Sequence, residues 1–230
     1  SNFSENSGSH GASAICVAGK GTTFRDLTFE KNKNTIVFRR CSGEDPEKTS
    51  IYNSNFINNE SQALDLSQAD DSVIADSSFL QGDTDALRIR YSGNTLLSNL
   101  VVSENKGRGI YVYDYDQNNA LGDGVTVRDS LISKNRGGGV EIRGYGHQVL
   151  DSEISQNSGI GMDISSESSR VLVSNVLFQG NTINSLASAG LTIGYYYDRT
   201  LSSTDITIEK SRFLDNRNSS NNQRSAGAIF

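Results

Sequence analysis

Read at alternate positions, the segments "LRIR" (87–90), "IYVY" (110–113) and "VEIR" (140–143) put Arg88, Arg90, Tyr111, Tyr113, Glu141 and Arg143 on one side of an extended chain. Tyr115, Tyr145, His147 and Tyr196 follow the ends of similar segments, so most of the nine tyrosines collect in these neighbourhoods. The set suits recognition of a ring-bearing, polyhydroxylated ligand. Tyrosine faces stack on rings, arginine grips carboxylates in two-pronged fashion, and Asp and Glu accept hydroxyl protons. The plainer reading is a solvated strand face with cross-strand ion pairs such as Arg88–Asp65, since tyrosine is a common strand residue.

Those residues can act together only if their segments are stacked. A hydrophobe followed three residues later by Asn recurs as Phe3/Asn6, Phe29/Asn32, Phe56/Asn59, Val102/Asn105, Ile132/Asn135, Ile154/Asn157, Phe178/Asn181 and Phe213/Asn216, with Gly82 in the Asn place after Phe79. The anchors lie 22 to 35 residues apart. Such a period marks stacked supersecondary units. Within a unit, short runs alternate apolar and polar residues: "VTVRD", "SLIS" and "GVEI" in residues 125–142. Period-2 alternation means short, half-buried strands. Three strands per coil with no helical stretch predict an all-β fold, a single-stranded right-handed parallel β-helix of about nine coils spanning 1–230. Two inward columns are expected: Phe24, Ile51, Ile74, Leu97, Val127, Val149, Val173, Ile208, and Ile36, Leu64, Leu87, Ile110, Val140, Met162, Leu191. The outward column between the latter reads Val37, Asp65, Arg88, Tyr111, Glu141, Asp163, Thr192.

The recurring Asn is expected to turn a corner in the left-handed backbone region, which Gly and Asn tolerate. Stacked amides would then form an asparagine ladder. A second Asp/Asn column (Asp26, Asn53, Asp76, Asn99, Asp129, Asp151, Asn175) is read as a turn device too.

The pattern of Asn, Gly and alternating hydrophobes, followed by hydrophobe-x-[Asp/Asn]-Ser-x-hydrophobe, resembles the parallel β-helix repeat of the pectin-lyase-like superfamily along essentially the whole chain. That group holds pectate lyases, mannuronan C5-epimerases and phage tailspikes, so the resemblance implies a polysaccharide or cell-surface glycan as partner. If the chain is an enzyme of the polyuronate lyase, C5-epimerase or tailspike-depolymerase kind, Arg143 or Arg90 would neutralise a sugar carboxylate, and His147 or Tyr113 would move protons. Glu141 with Asp163 or Asp116 could serve hydrolysis. The epimerase-type Asp-Pro-His motif is absent; "EDPEK" (44–48) has Glu in the His place. Without a catalytic signature, the first reading is an extracellular or cell-surface scaffold, an adhesin-like module presenting a loop edge to a glycan or protein.

Three long insertions follow strands of one set, at 39–48, 113–124 and 194–204, and should emerge along one edge. Two more, 182–189 and 217–226, read as polar surface loops. A formal net charge of −6 without a Lys/Arg cluster argues against nucleic acid. No run is apolar enough for a membrane span. "DYDQNNALGDG" has the opening spacing of a calcium loop but departs from it later, leaving only a looser oxygen site at Asp114, Asp116 and Asp123. Otherwise no cofactor is called for. Cys16 and Cys41 form no zinc motif, and their spacing leaves a disulfide open. The chain opens and closes within repeats, which is read as a segment of a longer chain or of an end-to-end β-helix assembly.

Overall fold

A computed structural model describes residues 1–17, 20–40, 48–114, 124–166, 168–185, 187–194, 203–220 and 229, with the side chains of 8–13 and 34–40 left aside. Every strand pairs in parallel with its equivalent in the next coil, giving three long sheets. Sheet I has nine strands, from Asn2–Ser4 to Arg212–Leu214. Sheet II has eight, from Ser7–Val17 to Leu191–Ile193, and sheet III has eight, from Thr23–Arg25 to Thr204–Glu209. The described residues contain no helix. The molecule is a parallel β-helix whose coils run sheet I, sheet II, sheet III.

The anchor hydrophobes are the spine of sheet I. Phe3, Phe29, Phe56 and Phe79 stack face to face at 4.8, 4.9 and 4.6 Å between ring centroids. Val102, Ile132 and Ile154 continue the register, and Phe178 stacks on Phe213 at 4.7 Å. The strand spacing is a good distance for parallel ring stacking, so one residue type repeated at one register position packs against itself.

The asparagine ladder runs beside this spine. Asn6 donates its amide to Asn32, and Asn32 to Asn59. After a gap at Gly82, the chain of bonds resumes from Asn105 through Asn135, Asn157 and Asn181 to Asn216. Each Oδ1 also takes a backbone N–H from the coil before it, so a buried amide is fully used. The left-handed residue at this corner is not the Asn. It is the residue just before it: Glu5, Lys31, Asn58, Gln81, Glu104, Lys134, Gln156, Gly180 and Asp215 have φ between 53° and 64°. The Asn expectation was one residue off, and Gly82 is a missing rung rather than a conformational substitute. The second column does occupy the left-handed region, Asp26 through Asn175 with φ of 46° to 55°. Its members pair across coils as Asn99 to Asp76 and Asn175 to Asp151, 2.7 Å in each case. Beside it runs a ladder of buried serines, in which Ser54, Ser77, Ser130 and Ser152 bond the carbonyl two residues back and take N–H groups from the adjoining coil.

The first inward column stands as read, Phe24 through Ile208 in register. The second stands from Leu64 to Leu191, but its first member is corrected: Phe38, not Ile36, lies opposite Leu64, and Arg39, not Val37, opposite Asp65. A slip of two residues keeps every side chain on its own face, so alternation cannot detect it. The 11-residue strand Ser7–Val17, with its register shift between Ser7 and Ala12, is the local irregularity.

Cys16 is disulfide-bonded. Cys41, the other cysteine of the chain, lies outside the described residues. The two C-terminal insertions are not simply loose surface loops. Thr182–Ile183 pairs with Arg217–Asn218, and Ala187, Ser188 and Ala189 are fully buried.

Candidate functional site

The outer face of sheet II carries the residues singled out in the sequence. Asp65, Arg88, Tyr111, Glu141, Asp163 and Thr192 are successive register partners, and Ser67, Arg90, Tyr113 and Arg143 form the next column. Laterally adjacent side chains are therefore about one strand spacing apart, roughly 4.8 Å. The strands Lys33–Arg40, Ile110–Tyr113 and Leu191–Ile193 end where the long insertions begin, so all three leave from one edge of this sheet. The loop residues 41–47, 115–123 and 195–202 are outside the described residues, and with them Tyr115, Asp116, Asp123 and Tyr196.

At one end of the face, the carboxylate of Asp65 is 5% exposed and gathers two guanidinium groups. Arg88 Nη2 lies 2.6 Å from Asp65 Oδ2 and Arg90 Nη2 lies 3.1 Å from Oδ1. Arg90 also gives its Nε to the same carboxylate, so Arg88 and Arg90 are committed to an internal partner. In the middle is an aromatic cluster. Tyr91 meets Tyr113 edge to face at 5.5 Å, Tyr111 lies 6.3 Å from Tyr113, and Arg143 sits over the Tyr113 ring at 5.4 Å. Burial pushes both Tyr111 and Tyr113 hydroxyls above the usual phenol range, so both remain neutral donors.

Beyond the aromatics lies a charged clamp that the sequence reading missed. Arg108, in the corner just before Ile110–Tyr113, holds Asp85 with Nη2 at 2.6 Å and Glu141 with Nη1 at 2.6 Å. Its guanidinium also covers the Tyr111 ring at 3.9 Å. Burial opposes its charge, but the two carboxylates overcome that and hold it firmly cationic. Next to the clamp a recess of about 50 Å³ is lined by Arg108, Gly137, Gly138, Gly139, Val140, Glu141, Ile160 and Asp163. The glycines are required by close stacking: a Cβ on Gly139 would come within 2.4 Å of the Gly161 carbonyl oxygen, and one on Gly137 within 2.6 Å of Gly107. Gly138, at φ 116°, is in a region closed to ordinary side chains. In the recess, burial first and the Glu141 charge second raise the Asp163 carboxyl to about 7, with Arg108 opposing. A groove of about 450 Å³ along the bend between sheets III and I, by Leu131, Glu153 and Leu177, lies away from this face.

His147 does not join the patch. It is fully buried, its Nδ1 accepts the Val125 N–H at 2.9 Å, and burial lowers it to about 4. The alternation was broken by the Gly144-Tyr145-Gly146 turn, so outward placement could not be extended past Arg143. Tyr145 is half-buried and bridges to Ser169 rather than lying in either outward column. Among the expected calcium ligands only Asp114 is described, and it is 8% exposed. Among the described residues no three His, Cys, Asp or Glu side chains converge as a metal site. Arg108, Asp85 and Tyr91 were missed because corner residues follow no alternation that would give them a face.

The family model described as "Right handed beta helix region" matches residues 1–123 and again 121–228. Among solved structures, the periplasmic alginate epimerase AlgG superposes with a TM-score of 0.56 at 10% identity, over 91% of this chain and 59% of that one. A double-mutant form of AlgG gives a TM-score of 0.52 at 8% identity, over 100% of this chain and 73% of that one. The chain thus spans about 59% of the length of the first of these. No curated protein sequence matches. At such identities the likeness is one of fold.

Proposed function

The chain belongs to the right-handed β-helix family, and on that premise we propose that it is a glycan-binding surface module whose outer sheet II face is the binding face. The observation that carries this reading is the outward-facing strip of exposed Tyr91 and half-buried Tyr111, Tyr113 and Arg143 beside the Arg108–Glu141 clamp, at the edge from which the long loops leave. Rings spaced by strands offer stacking platforms to successive sugars, and fixed charges beside them select among polar substituents. The Cys16 disulfide supports an extracellular or cell-surface setting, because such bonds persist in oxidising compartments. The solved relative AlgG is itself a periplasmic alginate epimerase, which supports a polysaccharide partner.

The second reading, a polysaccharide-active enzyme, is favoured by one observation. Asp163 keeps a proton up to about 7 beside Glu141, which is ion-paired with Arg108. A carboxyl kept protonated in this way beside a second carboxyl is suited to an acid role. His147 is buried away from the face, which leaves half-buried Glu141, Tyr113 and Arg143 as the outward-facing candidates. Incubation with alginate, pectate, hyaluronan and bacterial exopolysaccharides separates the readings. The binding module gives saturable calorimetric binding without new reducing ends, unsaturated sugars or proton exchange at C5. Product formation that disappears in Glu141→Gln with the fold intact would establish the enzyme instead.

A further inference from the structure

One end of the sheet II face carries more positive charge than it balances. The Asp65 carboxylate, 5% exposed, holds both guanidiniums of the strand Leu87–Arg90. Arg88 reaches it through Nη2 at 2.6 Å. Arg90 reaches it through Nε at 3.2 Å and Nη2 at 3.1 Å. Two positive charges therefore share one negative charge. Their register neighbours on the next strand, Tyr111 and Tyr113, add no carboxylate, and Ser67 stands opposite Arg90 on the strand before. In the column of Asp65, the position before it belongs to Arg39. On a chain whose formal net charge is −6, this is a local surplus of the opposite sign.

The donors that remain define what the surplus suits. Arg88 Nε is buried out of reach, so the two-pronged Nε–Nη2 edge of that guanidinium is closed. The same edge of Arg90 is spent on Asp65. On each arginine Nη1 is left, bonded to nothing among the described residues and not sealed from solvent. The two side chains are 26% and 35% exposed. Two guanidiniums thus offer N–H groups side by side. A flat carboxylate matches the planar edge of one guanidinium. A sulfate or phosphate ester has three terminal oxygens that share no plane with its linkage, and can accept from both. The other end of the face is the reverse case, with Arg108 as one guanidinium between the carboxylates of Asp85 and Glu141. Glu141 lies two strands from Arg88, roughly 10 Å away, with Tyr111 between them. An anionic substituent is thereby drawn to one end of the aromatic strip and turned away from the other.

We propose that Arg88 and Arg90 form a subsite for a tetrahedral ester oxyanion, a sulfate or phosphate group carried by a glycan lying along sheet II. The oxyanion accepts from Nη1 of both arginines. Asp65 is a positioning residue: it holds the two guanidiniums side by side and occupies the Arg90 edge that a carboxylate would use. No covalent bond changes. The anion chemistry stands on the two arginines, whereas placing that anion on a sugar rests on the glycan reading.

Sodium sulfate, with sodium acetate at equal ionic strength as the control, probes the subsite by itself. The side-chain nitrogens of Arg88 and Arg90 are followed by NMR. Sulfate should shift both saturably and acetate should not. Equal shifts in the two salts, as screening alone would give, overturn the subsite. Glucose 6-sulfate, glucose 6-phosphate and glucuronate then place three anions on one kind of ring. At least one ester should bind about tenfold tighter than glucuronate, and the tighter ester names the substituent. Glucuronate bound as well as both esters overturns the tetrahedral assignment. Arg88→Gln leaves Asp65 paired with Arg90, so it should keep the melting temperature and lose the preference for an ester. Asp65→Asn opens the Arg90 edge and should narrow the preference by strengthening glucuronate. An unchanged preference in both variants overturns the roles given to Arg88 and Asp65. The glycan arm compares a chondroitin 6-sulfate oligomer with the same oligomer desulfated. If both bind equally, the oxyanion subsite falls while the glycan face stands. If sulfate shifts the two arginines but no glycan binds, the glycan face falls while the subsite stands.

Discussion

Arg108 and Glu141, 33 residues apart in sequence, are joined by a 2.6 Å ion pair across adjacent coils. The same guanidinium reaches back to Asp85 in the preceding coil, so one side chain ties three consecutive turns of the solenoid together. It also shields the Tyr111 ring. This one residue couples the stability of the middle coils to the geometry of the candidate face.

Arg108→Ala is therefore expected to act twice. It strands two partly buried carboxylates, which should cost about 2–4 kcal/mol in denaturant unfolding. It also frees Tyr111 and weakens glycan binding. Arg108→Lys should recover only part of either effect, because an ammonium cannot grip two carboxylates with a planar fork. Unfolding midpoints and calorimetry on the two variants check this; identical behaviour of Lys and Arg would show that charge alone suffices.

The broken rung of the asparagine ladder gives a second prediction. Asn157→Ala removes the acceptor for both the Asn135 N–H and its side-chain amide, and should destabilise by about 1–3 kcal/mol. Gly82→Asn should do the reverse. The Gly82 N–H already bonds Asn105 Oδ1, and a Cβ there would sit 3.0 Å from that oxygen, so the Asn105 amide must yield by a few tenths of an ångström to admit it. Completing the ladder should raise stability by about 1 kcal/mol, read as a shift in the unfolding midpoint. A lower midpoint would mean that the Asn105 side chain cannot make room.

His147 sets the acid limit. Burial lowers its folded value from 6.5 to about 4, so the neutral ring is the form that the fold selects. Its contribution is fully present above the unfolded value and is lost as pH falls toward about 4, where protonation also removes the acceptor for Val125 N–H. Melting temperature should fall between pH 6.5 and 4, and His147→Asn, which keeps an acceptor without a titrating ring, should flatten that slope. An unchanged slope would place the acid sensitivity in the carboxylates.

The fold was legible because one rule repeats. Phe29, Phe56 and Phe79 each recur at the same offset from a corner, and a single alternation pattern decides which side chains point inward. The outward column from Asp65 to Thr192 followed from that alternation alone. What was illegible lay where alternation stops. Ile36 was misplaced by a two-residue slip that preserves faces. His147 was assigned outward across a glycine-bounded turn, and Arg108 was overlooked in a corner. Thr192 was outward as read, yet the insertion folding back through Ser188 buries it, a tertiary contact with no local signature.

The aromatic strip gives the prediction closest to function. Tyr113 is half-buried on the outer face, in contact with Tyr91 and under Arg143. Tyr113→Ala should leave the unfolding midpoint nearly unchanged while weakening glycan binding by about 1 kcal/mol or more, the scale of a stacked ring.

The most direct measurement compares glycan affinity, by calorimetry, for two sets of variants of equal stability. One set alters sheet II: Tyr111→Ala, Tyr113→Ala and Arg143→Ala. The other alters the exposed apolar residues of sheet I: Val101→Ser and Leu131→Ser. A binding face on sheet II predicts that each variant of the first set loses affinity by about fivefold or more and that the second set binds as the unaltered protein does. Equal affinity across both sets, or loss confined to Val101→Ser and Leu131→Ser, would contradict it.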